Sequence, residues 1–316
     1  MTGLRREVVA VAGLALICGA CGSDEGGKSA FNNPGTGGGG NGGSGGNVIA
    51  VDGGGGASDG GGGKGGGFPL GPDGIPVGFT KSDRGAWKLG PEFTGTAPDL
   101  GECGSVLLGV VRDFKDGAAG GHPDFQTFTG NGLQGIVESD LGSDQKPVYA
   151  HSGGTAHTTN PANFREWYVN TAGKNEAFVV YFFLVPENGV FTFEDNSFFP
   201  LDGAGFGDQG NPHNFHFTTE VHTRFNYKGG ETFRFQGDDD LWVFINGKLA
   251  IDLGGLHPMQ QAQISLDAEA ANLGISIGKA YDLALFHAER HTSESNFRID
   301  TNLDFVDCGT TVPEPR

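Results

Sequence analysis

Residues Phe215–Tyr227 read FHFTTEVHTRFNY. Phe215, Phe217, Thr219, Val221, Thr223, Phe225 and Tyr227 alternate with His216, Thr218, Glu220, His222, Arg224 and Asn226. Successive side chains of a strand point to opposite faces, so this period of two predicts a long strand with one buried face and one solvated face. His216 and His222 fall on the polar face and are expected to be exposed.

Similar patterns extend in both directions. Downstream, Gly229-Gly230 turns the chain into Glu231–Phe235. Leu241–Ile245 and Leu249–Asp252 flank Asn246-Gly247, a strong hairpin signal because both turn residues accept positive φ. Ala262–Asp267 follows, with Asp267 as a candidate cap for a short helix through AEAANLG. Tyr281–His287 and Phe297–Val306 are the last strands, and Phe297, Ile299, Thr301, Leu303 and Phe305 share a face. Upstream, the continuous apolar run Phe178–Val185 predicts a central buried strand, and Ser105–Arg112 the first one. Asn160 followed by Pro161 predicts a helix over ANFREWYV, and Pro123 a helical turn around His122–Phe125. Many short strands with few helices indicate an all-β domain, an antiparallel sandwich or barrel.

The chain before residue 68 has a different texture. Arg5 and Arg6 precede an apolar run, Val8–Ile17, too short to span a bilayer and typical of an export signal. Cys18-Gly19-Ala20-Cys21 resembles a bacterial lipobox with Cys21 as the lipidated residue; Cys18 departs from the usual Leu, so ordinary cleavage after Ala20 stays open. Residues 22–67 are Gly-rich, with nothing to bury, and predict a disordered tether spanning about 35–40 Å. The organisation expected is therefore a signal segment at 1–21, a tether at 22–67, a folded domain at 68–309 and a tail at 310–316. Cys103 and Cys308 bracket that domain and, in an exported protein, suggest a disulfide; two free buried thiols are the alternative.

The net charge of −18 argues against nucleic acid and against an anionic membrane surface as partners. Membrane contact is expected only through the lipid anchor. The same charge suits a hard cation. Gly237-Asp238-Asp239-Asp240 sits immediately before LWVFIN, and three adjacent carboxylates are tolerated in the open or around such an ion. Oxygen ligands outside the cell point to Ca²⁺. Neighbouring Asp residues share one ion only if the backbone bends there, for example at a non-proline cis peptide. Glu289, in the loop between the last two strands, is a third candidate carboxylate. His287 and His291 are spaced for a zinc site on a helix and not on a strand. No nucleophile elbow or phosphate loop is present in the sequence; a paired-carboxylate hydrolase stays open.

RDF (112–114), HPDF (122–125), FREWY (164–168), FFPLDG (198–203), the block from Phe215 to His257 and LFHAERHTSESNFRIDT (285–301) together resemble the fibro-slime domain. That family resembles the protective-antigen-type, lectin-like β-sandwich found in surface proteins that contact carbohydrate. The resemblance implies an antiparallel β-sandwich with short helices and a binding role without catalysis. In the related lectins two consecutive Asp joined by a cis peptide hold Ca²⁺, which coordinates sugar hydroxyls. It therefore implies Asp238 and Asp239 as metal ligands, with Glu289 in place of the usual Asn. Asp240, where Gly is usual, and His291 are the implied ligand contacts, and a glycan or extracellular polymer the partner. A purely structural calcium site in a surface-layer component is the second reading.

Overall fold

The computed structural model describes residues 79–81, 87–89 and 106–307, all within one unit, Ser44–Arg316. Cys21, Cys103 and Cys308, the signal segment, the tether and the tail from 310 lie outside the described residues.

In chain order the elements are β1 (Phe79–Lys81), β2 (Trp87–Leu89), β3 (Val106–Phe114), α1 (Pro161–Glu166), β4 (Asn175–Phe183), β5 (Val185–Glu187), β6 (Val190–Asp195) and β7 (Phe217–Tyr227). Then come β8 (Thr232–Gly237), β9 (Asp240–Ile245), β10 (Lys248–Leu253), β11 (Gln260–Ser265), α2 (Leu266–Leu273), β12 (Lys279–Glu289), β13 (Phe297–Thr301) and β14 (Asp304–Asp307). One sheet runs β1-β2-β4-β3-β7-β12-β9-β10, with β14 also pairing β7; the other runs β11-β8-β13-β6-β5. Every pairing between these strands is antiparallel. The two sheets form a β-sandwich, as the strand patterns predict.

Its main core lies between the sheets. Val221, Phe225, Leu241, Val243 and Leu285 of the large sheet face Phe193, Phe233, Phe235, Phe297 and Ile299 of the small one. Phe297 stands at the centre, 4.7 Å from Phe198 and 5.0 Å from Phe235 between ring centroids. Each such ring contributes about 1.5–3 kcal/mol by leaving water.

A second core covers the opposite face of the large sheet. The long connection from β3 to β4 carries Phe125, Ile136, Phe164, Trp167 and Tyr168 onto Trp242, Phe244, Phe286 and Ala288. β9 and β12 are thereby apolar on both faces in their central stretch, which is why every residue of β9 is buried.

This outer layer overturns the expectation of a solvated face on β7 from His216 to His222, whereas Arg224 on the same face is exposed. His216 is 1 % and His222 8 % exposed, and Thr218 and Glu220 are buried with them. The polar face is satisfied from the outer layer and β3. Glu220 accepts from Arg112 at 2.7 Å, from Lys146 at 2.6 Å and pairs with His222 at 2.7 Å. Although burial opposes ionisation, those cations hold its carboxyl below the usual carboxylate range.

Three local expectations change. Ser265 holds the N-cap position of α2 without a side-chain cap hydrogen bond; Asp267 lies inside its first turn and accepts from the Tyr227 hydroxyl and the Gly230 amide. His122–Phe125 forms a single hydrogen-bonded turn, Phe125 N–H to His122 carbonyl, and no helix. The run Phe297–Val306 breaks after Thr301, so that β13 joins the small sheet while β14 crosses to β7. The Asn160 cap is as read: its side chain accepts from the Asn163 amide at 2.9 Å.

Candidate functional site

β12 runs beside β9 with Ala288 opposite Asp240. The Asp238–Asp239 corner that ends β8 and the loop after Glu289 therefore meet at one end of the sandwich. Gly237 permits the approach, since a Cβ there would stand 2.5 Å from the Asn296 carbonyl oxygen. The chain bends at Asp239, whose φ of 51° lies in the left-handed region that Asp tolerates better than most residues. Among the described residues there is no cis peptide, in contrast to the geometry that the resemblance implies.

The loop grips the corner through its backbone. Asp239 Oδ2 accepts the Arg290 amide at 2.7 Å and the His291 amide at 3.1 Å. Asp238 accepts the Asn296 amide and side-chain amide, each at 2.7 Å. Asp239 is 6 % exposed and its carboxyl is pushed up to about 7, by burial above all and then by the negative charges of Asp240 and Asp238, against the pull of Arg290. Burial also raises Asp238, with Asn296 opposing.

Strand alternation separates the remaining acids. Glu289 has the parity of Leu283, Leu285 and His287 and points to the core between the sheets. It is fully buried, with the Ser295 hydroxyl and the Asp239 carboxyl beside its carboxyl group. Burial drives its carboxyl well above the usual range, and the charges of Asp239 and Asp238 add to the rise. Asp240 has the parity of Trp242 and Phe244 and points to the outer layer. There it is wholly buried: Arg290 Nε donates to its Oδ2 at 2.7 Å and the Gly255 amide to its Oδ1 at 2.6 Å. Asp240 is thus placed as a partner of Arg290, away from the open surface and apart from the ligand contact that the resemblance implies. His287 is buried among Phe198, Phe217 and Phe297, and burial pushes its imidazole down to about 3.

Over the corner opens a pocket of about 300 Å³. Asp238, Asp239 and His291 line it, together with Leu256, Pro258 and the exposed Thr129. The structure therefore brings Asp238, Asp239 and His291 to one opening, with Glu289 buried beside Asp239. Among the described residues no three His, Cys, Asp or Glu side chains are gathered as a ready ligand set for a metal.

Arg290 is absent from the site residues read in the sequence. Fully buried, it donates to the Asp124 and His157 carbonyls at 3.0 and 2.8 Å and stacks 4.4 Å from the Trp167 ring. Its signal was its parity with Ala284, Phe286 and Ala288, which marks the face toward the outer layer.

Residues 199–315 match the family model described as PA14 domain. Among curated proteins, psiR of Dictyostelium discoideum is 39 % identical over 202 residues, covering 58 % of this chain and 20 % of psiR. PsiD of the same organism is 35 % identical over 213 residues, covering 62 % of this chain and 40 % of psiD. The chain thus spans between a fifth and two fifths of the length of these relatives. Among solved structures, a PA14 sugar-binding domain from an RTX adhesin aligns with a TM-score of 0.31 at 10 % identity, over 67 % of this chain and 99 % of that one. The PA14 domain of the MpAFP antifreeze protein aligns with a TM-score of 0.28 at 11 % identity, over 69 % and 99 %.

Proposed function

We propose that this chain is an exported surface protein whose fibro-slime-type domain binds a glycan with the help of a calcium ion at the Asp238–Asp239 corner. The observation that carries this reading is the meeting of acids at one corner: Asp238 and Asp239 line an open pocket, and the buried Glu289 lies beside Asp239, where their charges raise its carboxyl further. Buried acids this close to one another are held in the protonated form unless a cation takes the place of the proton. The donor set is all oxygen, the chemistry Ca²⁺ takes, and its six to eight ligands leave room for backbone carbonyls, water and ligand hydroxyls. Asp238, Asp239 and Glu289 would hold the ion; bound there, it would supply a site for sugar hydroxyls. Asp240 would act at one remove, by fixing Arg290 and so the amides that orient Asp239. The PA14 match over 199–315 and the sequence resemblance support a sugar as ligand and binding without catalysis.

The lipobox-like segment supports export and anchoring at Cys21, with residues 22–67 as the tether and a Cys103–Cys308 disulfide closing the domain. Palmitate labelling that persists in a Cys21→Ala variant would exclude the anchor.

Thermal unfolding with and without calcium tests the metal. At a calcium concentration 100 times Kd the stabilisation is about 2.7 kcal/mol, a rise of roughly 5–10 °C for a domain of this size. Asp239→Asn and Glu289→Gln should abolish the rise. Its absence in the parent protein rules calcium out. Glycan binding that is indifferent to chelator would reduce the ion to a structural role, the second reading.

A further inference from the structure

The small sheet ends in two edge strands of opposite character. β5 is three residues long and carries Pro186, which has no amide hydrogen to offer, beside Glu187. Shortness, proline and charge are the devices by which a sheet edge refuses further pairing. β11 has none of them. It runs six residues, Gln260–Ser265, without proline or charge, and its register against β8 is continuous from Gln260 opposite Gly237 to Ser265 opposite Thr232, with no bulge. Among the described residues its backbone pairs with β8 alone, so its other edge has no strand beside it. The edge strand of the large sheet is treated differently. On β10 the Leu249 amide donates to the Ser139 carbonyl at 2.8 Å and the Gly247 carbonyl accepts the Leu141 amide at 2.9 Å, so the outer layer covers it.

Charge and symmetry name the occupant. From Leu253 to Leu266 there is no Asp, Glu, Lys or Arg, in a chain of net charge −18. A charged partner finds nothing here to pair with, whereas another copy of this acidic chain can approach without like charges meeting at the contact. The strand is also self-complementary. Gln261, Gln263 and Ser265 are exposed on the outer face, while Ala262 and Ile264 turn to the core. Residues opposite one another across an antiparallel pair share a face, so a two-fold axis passes through Ala262 or Gln263. The first sets Gln261 against Gln263 of the second copy; the second sets Gln263 against its own counterpart. A side-chain amide both donates and accepts, so either arrangement complements itself. Arg234 donates to Gln261 Oε1 at 2.5 Å, which occupies that oxygen and leaves the NH2 as the donor.

We infer that β11 is an association edge, through which two copies of this chain pair about a two-fold axis and merge their small sheets into one antiparallel sheet. β11 begins at the corner end, where Gln260 lies opposite Gly237, so the two Asp238–Asp239 corners point to opposite ends of the joined sheet. A contact one strand long is below the size of a standard interface, so the dimer is weak and depends on concentration. Negative charge elsewhere on the two copies opposes it, and salt, which screens such repulsion beyond about 10 Å at 0.1 M, strengthens it. The inference is independent of the ligand and metal proposed above.

Sedimentation velocity of the full chain, over a range of protein concentrations at low and at high salt, tests it. The dimer fraction should rise with protein and with salt. The double variant Gln261→Glu/Gln263→Glu sets like charges face to face across either axis and should weaken dimerisation at least tenfold at low salt, with Tm unchanged because both side chains are exposed. Gln261→Lys/Gln263→Lys should do the same, and an equimolar mixture of the acidic and the basic variant should dimerise again. A parent protein that stays monomeric at high protein and high salt overturns the inference. So does a dimer that both charged variants retain, since it uses another surface, or a mixture of the two that stays monomeric.

Discussion

Arg290→Met tests whether the pocket depends on the buried ion pair behind it. Arg290 and Asp240 are both fully buried, with Nη2 2.5 Å from Oδ2. Methionine matches the length of the side chain and removes the charge. Asp240 then keeps only the Gly255 amide, and the Asp124 and His157 carbonyls lose their donor. Breaking a buried pair from one side costs about 3–5 kcal/mol, because the other charge stays behind unpaired. At about 2–4 °C per kcal/mol for a domain of this size, Tm should fall by roughly 6–20 °C. Urea unfolding followed by tryptophan fluorescence is a suitable assay, since Trp167 and Trp242 are buried in the second core. Asp240→Leu combined with Arg290→Met removes both charges and should recover at least about 2 kcal/mol relative to the sum of the single variants. A loss below about 1 kcal/mol for Arg290→Met, or strict additivity in the double variant, would refute the reasoning.

Glu220 titrates below the ordinary carboxylate range, so its stabilisation is complete above about pH 4.5 and is lost as pH falls below that; Glu220→Gln should destabilise at pH 7 by about 3–5 kcal/mol and flatten the acid limb of the stability profile. Asp113 is the opposite case: burial pushes its carboxyl from 3.8 up to about 7, so the stability it confers is full below pH 4 and is lost as pH rises through 7. Asp113→Asn should remove that decline in urea titrations at pH 5 and 8, and an unchanged slope counts against it. Phe297→Ala, at the centre of the main core, should cost about 3–5 kcal/mol in the same assay, and a loss under 1 kcal/mol would mean the site collapses freely.

The strands were legible because a period of two survives in their residues: Phe217–Tyr227 of the alternating stretch became β7, and Asn246-Gly247 turns β9 into β10 with φ values of 52° and 72°. The outer layer was not. Between β3 and β4 its apolar residues, Phe125, Ile136, Phe164 and Trp167, follow no regular spacing, because turns and the one short α1 carry them. Without that layer the polar side of β7 reads as solvated. Glu220 is buried there only because Lys146 and Arg112 arrive from distant positions to neutralise it. The run of acids at the corner stands out in the sequence, yet alternation alone could not say that Asp240 faces Arg290 and Glu289 the inter-sheet core. Recognising Ala284, Phe286, Ala288 and Arg290 as one face would have indicated it.

The two-sided burial of β9 and β12 has a consequence for synthesis. Trp167 and Phe164 leave the ribosome before the surface they cover, which is complete only at Ala288. At about 5–20 residues per second the intervening stretch of about 120 residues takes roughly 6–24 s, during which this segment has its own connection to pack on, Phe125 and Tyr149 among it, but not the completed sheet. Closure of this face therefore waits for β12, the strand that brings Phe286 and Ala288 under the aromatic cover.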